Sequence, residues 1–165
     1  MKHCFITVTD WGFFPGTLAT VNSLLRFQPD ADIWVVNREG ESISSPQAEC
    51  LLQGERVRLM KSSALAAKGR WLNAWELKAY AACDLCGGYD VLAGIDSDCL
   101  LCSSINDRME QCIRTGGFLG GKDGDGVEYG PAYRTYGIRT PSRNPKYMST
   151  SLFFCAVNES NKRIP

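Results

Sequence analysis

Two aspartates, Asp96 and Asp98, follow a short apolar run in the sequence GIDSDCLLC, residues 94–102. Carboxylate oxygens suit Mg²⁺ or Mn²⁺ together with a ligand that carries phosphate. Cys99 and Cys102 form a Cys-x-x-Cys pair directly after them, and thiolates suit zinc instead. The two kinds of metal site belong to different kinds of protein, so the surrounding sequence has to distinguish them.

The Asp-x-Asp pattern is weak by itself because the chain contains it three times, as Asp30-Ala-Asp32, Asp96-Ser-Asp98 and Asp123-Gly-Asp125. The first precedes a strand-like segment, and the third contains an Asp-Gly pair that is common in turns. Only the second follows a segment typical of a buried strand, so its carboxylates would stand on a rigid element. The alternative is that these two aspartates cap the loop or the next helix.

A zinc site would use Cys83 and Cys86 together with Cys99 and Cys102, since twelve residues separate the two pairs. The residues between the pairs favour a buried strand, and on a continuing strand Cys99 and Cys102 would face opposite sides. We therefore expect most of the eight cysteines to be reduced and to pack as small apolar side chains. His3 is the one histidine, which leaves little room for histidine-based sites.

The composition is that of a soluble globular protein, with 44% hydrophobic and 22% charged residues among 165. Basic and acidic residues balance at 18 each, so the charge indicates neither a nucleic-acid nor a membrane partner. No apolar run reaches the roughly 20 residues of a membrane span, and the N-terminal apolar stretch is too short for a secretory signal. We expect a cytoplasmic protein.

Strand-like and helix-like segments alternate along the chain, which predicts an α/β protein with a mostly parallel sheet. Strands are expected over 3–10, 31–37, 56–61, 89–96, 117–122 and 148–158, and helices from Pro15 onward and over 45–53, capped by Ser45, 71–86 and 104–115. Ligands of such sheets bind outside the carboxyl ends of the strands, where Asp10 and Asp96 stand. Residues 121–147 are rich in Gly, Pro, Arg and Tyr and predict a long loop, either substrate-covering or plainly mobile.

Three segments resemble the nucleotide-sugar-binding half of GT-A glycosyltransferases, closest to family 8-like enzymes. FITVTDWGFFPGTLATVNSLLRFQPDADIWVV is similar to the opening strand, its aspartate, a following aromatic and the first helix. WELKAYAACDLCGGYDVLAGIDSDCLL is similar to a helix with a basic residue and the strand that ends in the DxD motif. MSTSLFFCAVN is like a later strand that opens with small polar residues. The resemblance spans most of residues 4–158 and implies a Rossmann-like three-layer α/β/α fold with a mostly parallel mixed sheet.

The resemblance also implies an activity: a metal-dependent glycosyltransferase that moves sugar from a nucleotide-diphosphate donor, a UDP-sugar, to an unidentified hydroxyl acceptor. Asp96 and Asp98 would bind Mn²⁺ or Mg²⁺. Phe13 would stack on the base, and Lys78 would reach the phosphates or the sugar. The full set of implied donor-binding residues is Thr7, Val8, Thr9, Asp10, Phe13, Lys78, Asp96, Ser97, Ser149, Thr150 and Ser151.

The residues themselves leave plainer roles open. Phe13 equally suits the core, Lys78 a solvated helix face, and Asp10 a cap of the helix that follows it. Trp71 and Trp75 are expected to pack on their helix. The candidates for a catalytic base, by location in the long loop only, are Asp123, Asp125 and Glu128.

The chain also departs from the family pattern. It is expected to form one nucleotide-sugar-binding domain over residues 1–165, either truncated at the C-terminus or a minimal relative with a short acceptor-binding part. No histidine follows His3 to supply a further metal ligand. Two other functions stay open: a nucleotide-binding module without catalysis, and a phosphatase or phosphotransferase that uses Asp96 as its nucleophile.

Overall fold

The computed structural model describes residues 1–38, 43–61, 73–122 and 148–158. The predictions for Trp71, for the loop from residue 123 onward with its three acids, and for the side chains of Trp75, Ser149 and Thr150 lie outside this description.

Ten helices and strands make up the described part of the chain. The strands are β1 (His3–Thr9), β2 (Asp32–Asn37), β3 (Val57–Lys61), β4 (Val91–Ile95), β5 (Phe118–Lys122) and β6 (Met148–Ala156). The helices are α1 (Phe14–Phe27), α2 (Ser45–Leu52), α3 (Ala74–Leu85) and α4 (Asn106–Thr115). Every predicted element is present, although the first two residues of the predicted loop, Gly121 and Lys122, belong to β5.

The six strands form one sheet in the order β3-β2-β1-β4-β6-β5. Strand β1 is parallel to both β2 and β4, and β3 is parallel to β2. Strand β6 is antiparallel to its neighbours β4 and β5, so it alone among the six runs in the reverse direction. The predicted mostly parallel mixed sheet is confirmed, and the start of β6 lies at the edge where β4 ends.

Helices cover both faces of the sheet, which makes three layers. One core joins α1, α2 and α4 to the face that includes Phe5 and Val35. The second core joins α3, through Leu77 and Ala81, to the opposite face. Alternate residues of β1 belong to the two cores, as the period of two in a strand requires. Within the described residues, no helix combines the length and apolarity that a membrane span needs.

Local sequence explains most helix ends, with two corrections to the predicted starts. Helix α2 has Ser44 rather than Ser45 as its N-cap, because the Ser44 N–H donates to Gln47 Oε1 at 2.8 Å. Helix α3 begins at Ala74, because Asn73 accepts the Glu76 N–H at 2.9 Å in a reciprocal capping box. Helix α4 ends at Gly116, whose φ of 63° is the left-handed conformation that favours glycine.

A glycine in β4 makes room for an aromatic ring of β6. Gly94 lies opposite Phe153 in the antiparallel pair. A Cβ atom on Gly94 would lie 2.1 Å from the Phe153 ring, so any larger residue there would displace the ring. The contact fixes how β6 packs beside β4, the strand that Asp96 follows.

Candidate functional site

The carboxyl ends of β1 and β4 meet at the centre of the sheet, and the candidate site lies there. The strand order reverses at this point, because β1 is followed by β2 on one side while β4 lies on the other. Crevices at such a switch point are where open α/β sheets bind ligands. Asp10 follows β1 and Asp96 follows β4, so the fold brings these two predicted residues to the same edge.

Lys78 on α3 reaches Asp96 across this edge. Lys78 as a whole is 1% exposed, and its ammonium group forms a hydrogen-bonded ion pair with Asp96 Oδ1. The Asp96 side chain is 34% exposed, so only one end of the pair meets solvent. The solvated helix face considered for Lys78 is therefore wrong, and its ion pair with Asp96 was not predicted. The contact with phosphates or sugar that the resemblance implies for Lys78 stays a prediction.

Asp98 lies in the connection between β4 and α4, residues 96–105, which we call the DxD loop, and its Oδ1 is 3.9 Å from the Cys99 thiol. It is exposed, whereas Ser97 and Cys99 on either side of it are partly buried. Burial, and after it the charges of Asp98 and Asp96, raises the pKa of the Cys99 thiol. The Cys99 thiol is therefore less readily deprotonated than a free thiol.

The continuing strand that was considered for Cys99 and Cys102 is not formed. Strand β4 ends at Ile95, and both cysteines belong to the DxD loop, while Cys83 and Cys86 lie at the end of α3. No part of the described chain gathers three or more histidine, cysteine, aspartate or glutamate side chains that could hold a metal ion. The cysteine pairs therefore do not form a four-thiolate site in this fold.

The carboxylate oxygens that the DxD loop offers as metal ligands suit a hard cation. Mg²⁺ is typically held by one or two carboxylates, and substrate phosphates and water complete its coordination. Asp98 is exposed and Asp96 is partly exposed, which supplies two carboxylates and leaves room for other oxygen ligands. Mn²⁺ accepts the same oxygen ligands.

Asp10 shapes the connection between β1 and α1. Its Oδ1 accepts the N–H groups of Gly12 at 3.0 Å and Phe13 at 2.9 Å, and its Oδ2 lies 3.6 Å from the Arg38 guanidinium. The N-cap of α1 is Phe13, without a side-chain capping bond, so Asp10 closes the turn that leads into the helix and does not cap the helix itself. The turn projects Trp11 and Phe13 outward, 67% and 58% exposed. Phe13 is thus outside the core and available for stacking.

The other residues that the resemblance implies for binding the nucleotide sugar differ in how exposed they are. The side chains of Thr7, Val8 and Thr9 are buried in the sheet, and Thr9 Oγ1 accepts a hydrogen bond from Thr17 at 2.9 Å. Ser151 lies beside the motif, because its backbone carbonyl accepts the Asp96 N–H at 2.9 Å. Ser97 is partly buried within the DxD loop.

Arg38 is a site residue that the sequence reasoning missed. It follows β2, its N–H donates to the Thr9 carbonyl at 2.9 Å, and its guanidinium pairs with Asp10. The signal that could have found it is its place directly after a predicted parallel strand, where side chains meet at the ligand-binding edge.

Comparisons with known proteins give matches in structure alone. No protein-family model matches the sequence, and no curated protein is similar enough in sequence to be recognised as a relative. The structure of the galactosyltransferase LgtC, solved with donor and acceptor sugar analogs, matches 98% of this chain with a TM-score of 0.65 and 13% identity. The bifunctional glycosyltransferase WbbM matches 98% of the chain with a TM-score of 0.57 and 16% identity. GlyE of Streptococcus pneumoniae TIGR4, also a glycosyltransferase, matches 94% with a TM-score of 0.58 and 13% identity.

These solved structures are longer than the chain described here. The matched region covers 60% of LgtC, 32% of WbbM and 34% of GlyE. At such low identity the likeness concerns the fold, and it agrees with the strand order and three layers described above. The chain therefore has the α/β fold of GT-A glycosyltransferases, which confirms the predicted fold class.

Proposed function

We propose that this chain binds a nucleotide-diphosphate sugar, a UDP-sugar, together with Mn²⁺ or Mg²⁺, and transfers the sugar to a hydroxyl acceptor as family 8-like glycosyltransferases do. The observation that carries the proposal is the pair Asp96 and Asp98 at the switch point, with the Lys78 ammonium on the first of them. The glycosyltransferase fold supports the class of reaction, and LgtC was solved with donor and acceptor sugar analogs.

The charges at the site suit a diphosphate. Two carboxylates close together repel each other, and a cation between them and an anionic ligand relieves that repulsion. Lys78 already neutralises one carboxylate from the buried side, so the exposed side keeps about one negative charge for a metal ion. An electropositive metal ion bound there would attract the donor phosphates.

Each residue has a distinct role in the proposed reaction. Asp98 and Asp96 would hold the metal ion, which supplies Lewis-acid stabilisation of the charge that develops on the departing nucleoside diphosphate. Lys78 fixes the orientation of the Asp96 carboxylate. Phe13, projected by the Asp10 turn, would stack on the base, a contact worth about 1–3 kcal/mol in other aromatic platforms.

The transfer balances as a substitution at the anomeric carbon. The acceptor oxygen forms a bond to that carbon, and the bond from the carbon to the phosphate oxygen breaks with its electron pair on the phosphate. The acceptor hydroxyl proton leaves to a base. Asp123, Asp125 and Glu128 remain predictions for that base, outside the described residues.

Thermal unfolding with a panel of nucleoside diphosphates and nucleotide sugars, with and without Mn²⁺, tests the proposal. Free ligand at 100 times its Kd stabilises the native state by about 2.7 kcal/mol, or roughly 5–10 °C for a domain of this size. We expect a shift of this size for UDP with Mn²⁺ and its loss in Asp98→Asn. Asp107→Asn, in the first turn of α4, is a matched control that should keep the shift.

Three kinds of result would contradict this proposal, and two of them would identify another function. If no nucleotide raises the melting temperature, or if Asp98→Asn keeps the full shift, the proposed donor site is wrong. Binding of UDP with Mn²⁺ but no sugar release or transfer would identify a nucleotide-binding module. Covalent phosphorylation of Asp96 without nucleotide-sugar binding would identify an aspartyl-nucleophile enzyme.

A further inference from the structure

Helix α1 contacts the DxD loop at successive points along its length. At its start, a Cβ atom on Gly16 would lie 2.6 Å from the Ser97 carbonyl oxygen, so the loop backbone passes directly over this glycine. One turn later, the Thr20 hydroxyl donates to the Cys99 carbonyl at 2.8 Å. After another turn, the Leu101 N–H donates to Ser23 Oγ at 3.1 Å.

A fourth, longer contact continues the series at the end of α1. The Gln28 side-chain amide donates to Ser104 Oγ at 3.4 Å, and Gln28 is only 2% exposed. The helix and the loop therefore run side by side. We call the three contacts of Gly16, Thr20 and Ser23 with the loop backbone the α1 clasp.

The α1 clasp holds every second residue of the loop. Ser97, Cys99 and Leu101 contact the helix and are partly or fully buried. The residues between them, Asp98 and Leu100, are exposed. Ser97 and Asp98 lie in a turn, which the Cys99 N–H closes on the Asp96 carbonyl at 3.1 Å. Because α1 contacts the loop backbone on both sides of Asp98, the helix holds this turn in a position that leaves the Asp98 side chain exposed.

We propose that α1, through the α1 clasp, positions Asp98 and so sets the affinity of the site for a divalent cation. The inference rests on the metal-binding role proposed for Asp98. Gly16, Thr20 and Ser23 are positioning residues here, because they touch the backbone that carries the ligand and not the ligand itself. Groups that orient a metal ligand affect metal affinity strongly: their loss typically costs 10–100-fold.

The contacts explain why these residue types are needed. Gly16 allows an approach that a methyl group would block, since the atom it faces is backbone oxygen. The Thr20 hydroxyl satisfies a loop carbonyl, and Ser23 accepts a loop N–H while donating its own proton to the Thr20 carbonyl at 2.7 Å. Without them, the loop backbone would lose partners on the side away from the ligand and could shift the Asp98 carboxylate.

The test measures Mn²⁺ affinity with the full chain at saturating UDP, from the electron paramagnetic resonance signal of free Mn²⁺, together with the melting temperature without ligand. We expect Thr20→Val and Ser23→Ala to weaken Mn²⁺ binding by on the order of tenfold. Gly16→Ala should do the same where it folds. Thr20→Ser keeps the hydroxyl and should retain affinity near that of the unchanged protein.

Two matched controls separate positioning from general loss of stability. Thr17→Val removes an equally buried hydroxyl from the same helix, but Thr17 bonds Thr9 and the Phe13 carbonyl, not the DxD loop. Gly87→Ala adds a methyl group where a Cβ atom would meet nothing within 4 Å. Both should leave Mn²⁺ affinity unchanged, although Thr17→Val should lower the melting temperature.

The outcomes distinguish this inference from the proposed function. If the unchanged protein binds Mn²⁺ and Asp98→Asn does not, while Thr20→Val and Ser23→Ala bind as the unchanged protein does, the positioning role is wrong and the metal site stands. An equal weakening in Thr17→Val would also overturn it, since stability alone would explain the effect. If the unchanged protein binds no Mn²⁺ with UDP, the proposed metal site is wrong and the inference falls with it.

Discussion

The buried ammonium group of Lys78 is paired with Asp96, the first aspartate of the DxD motif. Lys78 comes from α3 on one face of the sheet, whereas the loop that carries the motif is held by α1 on the other face. One carboxylate of the motif is therefore paired with a cation of the protein without any bound ligand. The ammonium group should therefore weaken the binding of a metal ion and strengthen the binding of phosphate groups.

Replacing Lys78 with methionine should separate these two effects. Without the ammonium group the two carboxylates carry one more net negative charge, so UDP without metal should bind more weakly and Mn²⁺ alone more tightly. The loss of the group that orients Asp96 should offset part of the gain for Mn²⁺. The effect of the charge on each ligand should be on the order of 10–100-fold, or about 1.4–2.8 kcal/mol, as for a unit charge about 6–12 Å away at an effective dielectric constant near 20. Calorimetric titration of each ligand measures both. Lys78→Arg retains the charge as a control, and a parallel loss of both affinities in Lys78→Met would contradict the prediction.

Gly94→Ala should destabilise the fold because its methyl group would overlap the Phe153 ring. Overpacking of this kind costs about 1–3 kcal/mol, which urea unfolding can measure. Combining the change with Phe153→Leu should recover part of the loss, because the smaller side chain leaves space for the methyl group. Additive losses in the double variant would show that the two residues do not compete for the same space.

The stability of the protein should depend on the protonation of His3. Burial is the largest cause that lowers the pKa of His3 below its ordinary value of 6.5; the N-terminal charge lowers it too, and Asp30 and Asp32 oppose the shift. The unfolded chain then binds the proton more readily than the native protein does. The free energy of unfolding should therefore be highest above pH 6.5 and fall as the pH drops through that value, by at most about 1.4 kcal/mol per pH unit for one proton.

Urea unfolding between pH 7.5 and 5.5 measures this dependence, a window above the range in which most carboxyl groups titrate. His3 is the only histidine, so His3→Gln removes the only imidazole and should flatten the profile. A profile that keeps its slope in His3→Gln would assign the pH dependence to other groups.

Local sequence patterns predicted the helices and strands well. The spacing of apolar residues and the positions of glycine and proline act on the conformation of a few neighbouring residues only. Pro15 and the leucines after it indicated α1, and Gly116 correctly ended α4. The end of β4 was predicted within one residue, but local patterns could not predict that the Asp96 N–H bonds Ser151, far along the chain. The same limit applies to Thr20 and Cys99, which are 79 positions apart and meet only in the folded sheet. Sequence reasoning therefore found the motif and its lysine but not the helix that holds the loop.

Substitution of Asp10 can distinguish a structural carboxylate from one that contacts the base. Asp10→Asn keeps an oxygen that can accept the Gly12 and Phe13 N–H groups, and it loses only the charge that faces Arg38. Asp10→Ala loses both and should cost about 1–3 kcal/mol of stability, because the N–H groups of the turn lose a charged acceptor.

Because the turn also projects Phe13, we expect Asp10→Ala to weaken UDP binding severalfold, by part of the roughly 1–3 kcal/mol that a stacked base contributes. Asp10→Asn should bind UDP nearly as the unchanged protein does. Titration of UDP with Mn²⁺ into both variants, beside their urea unfolding curves, measures the difference. Should Asp10→Asn unfold like the unchanged protein but lose UDP affinity as far as Asp10→Ala does, the carboxylate itself must contact the nucleotide, and its role would extend beyond the turn.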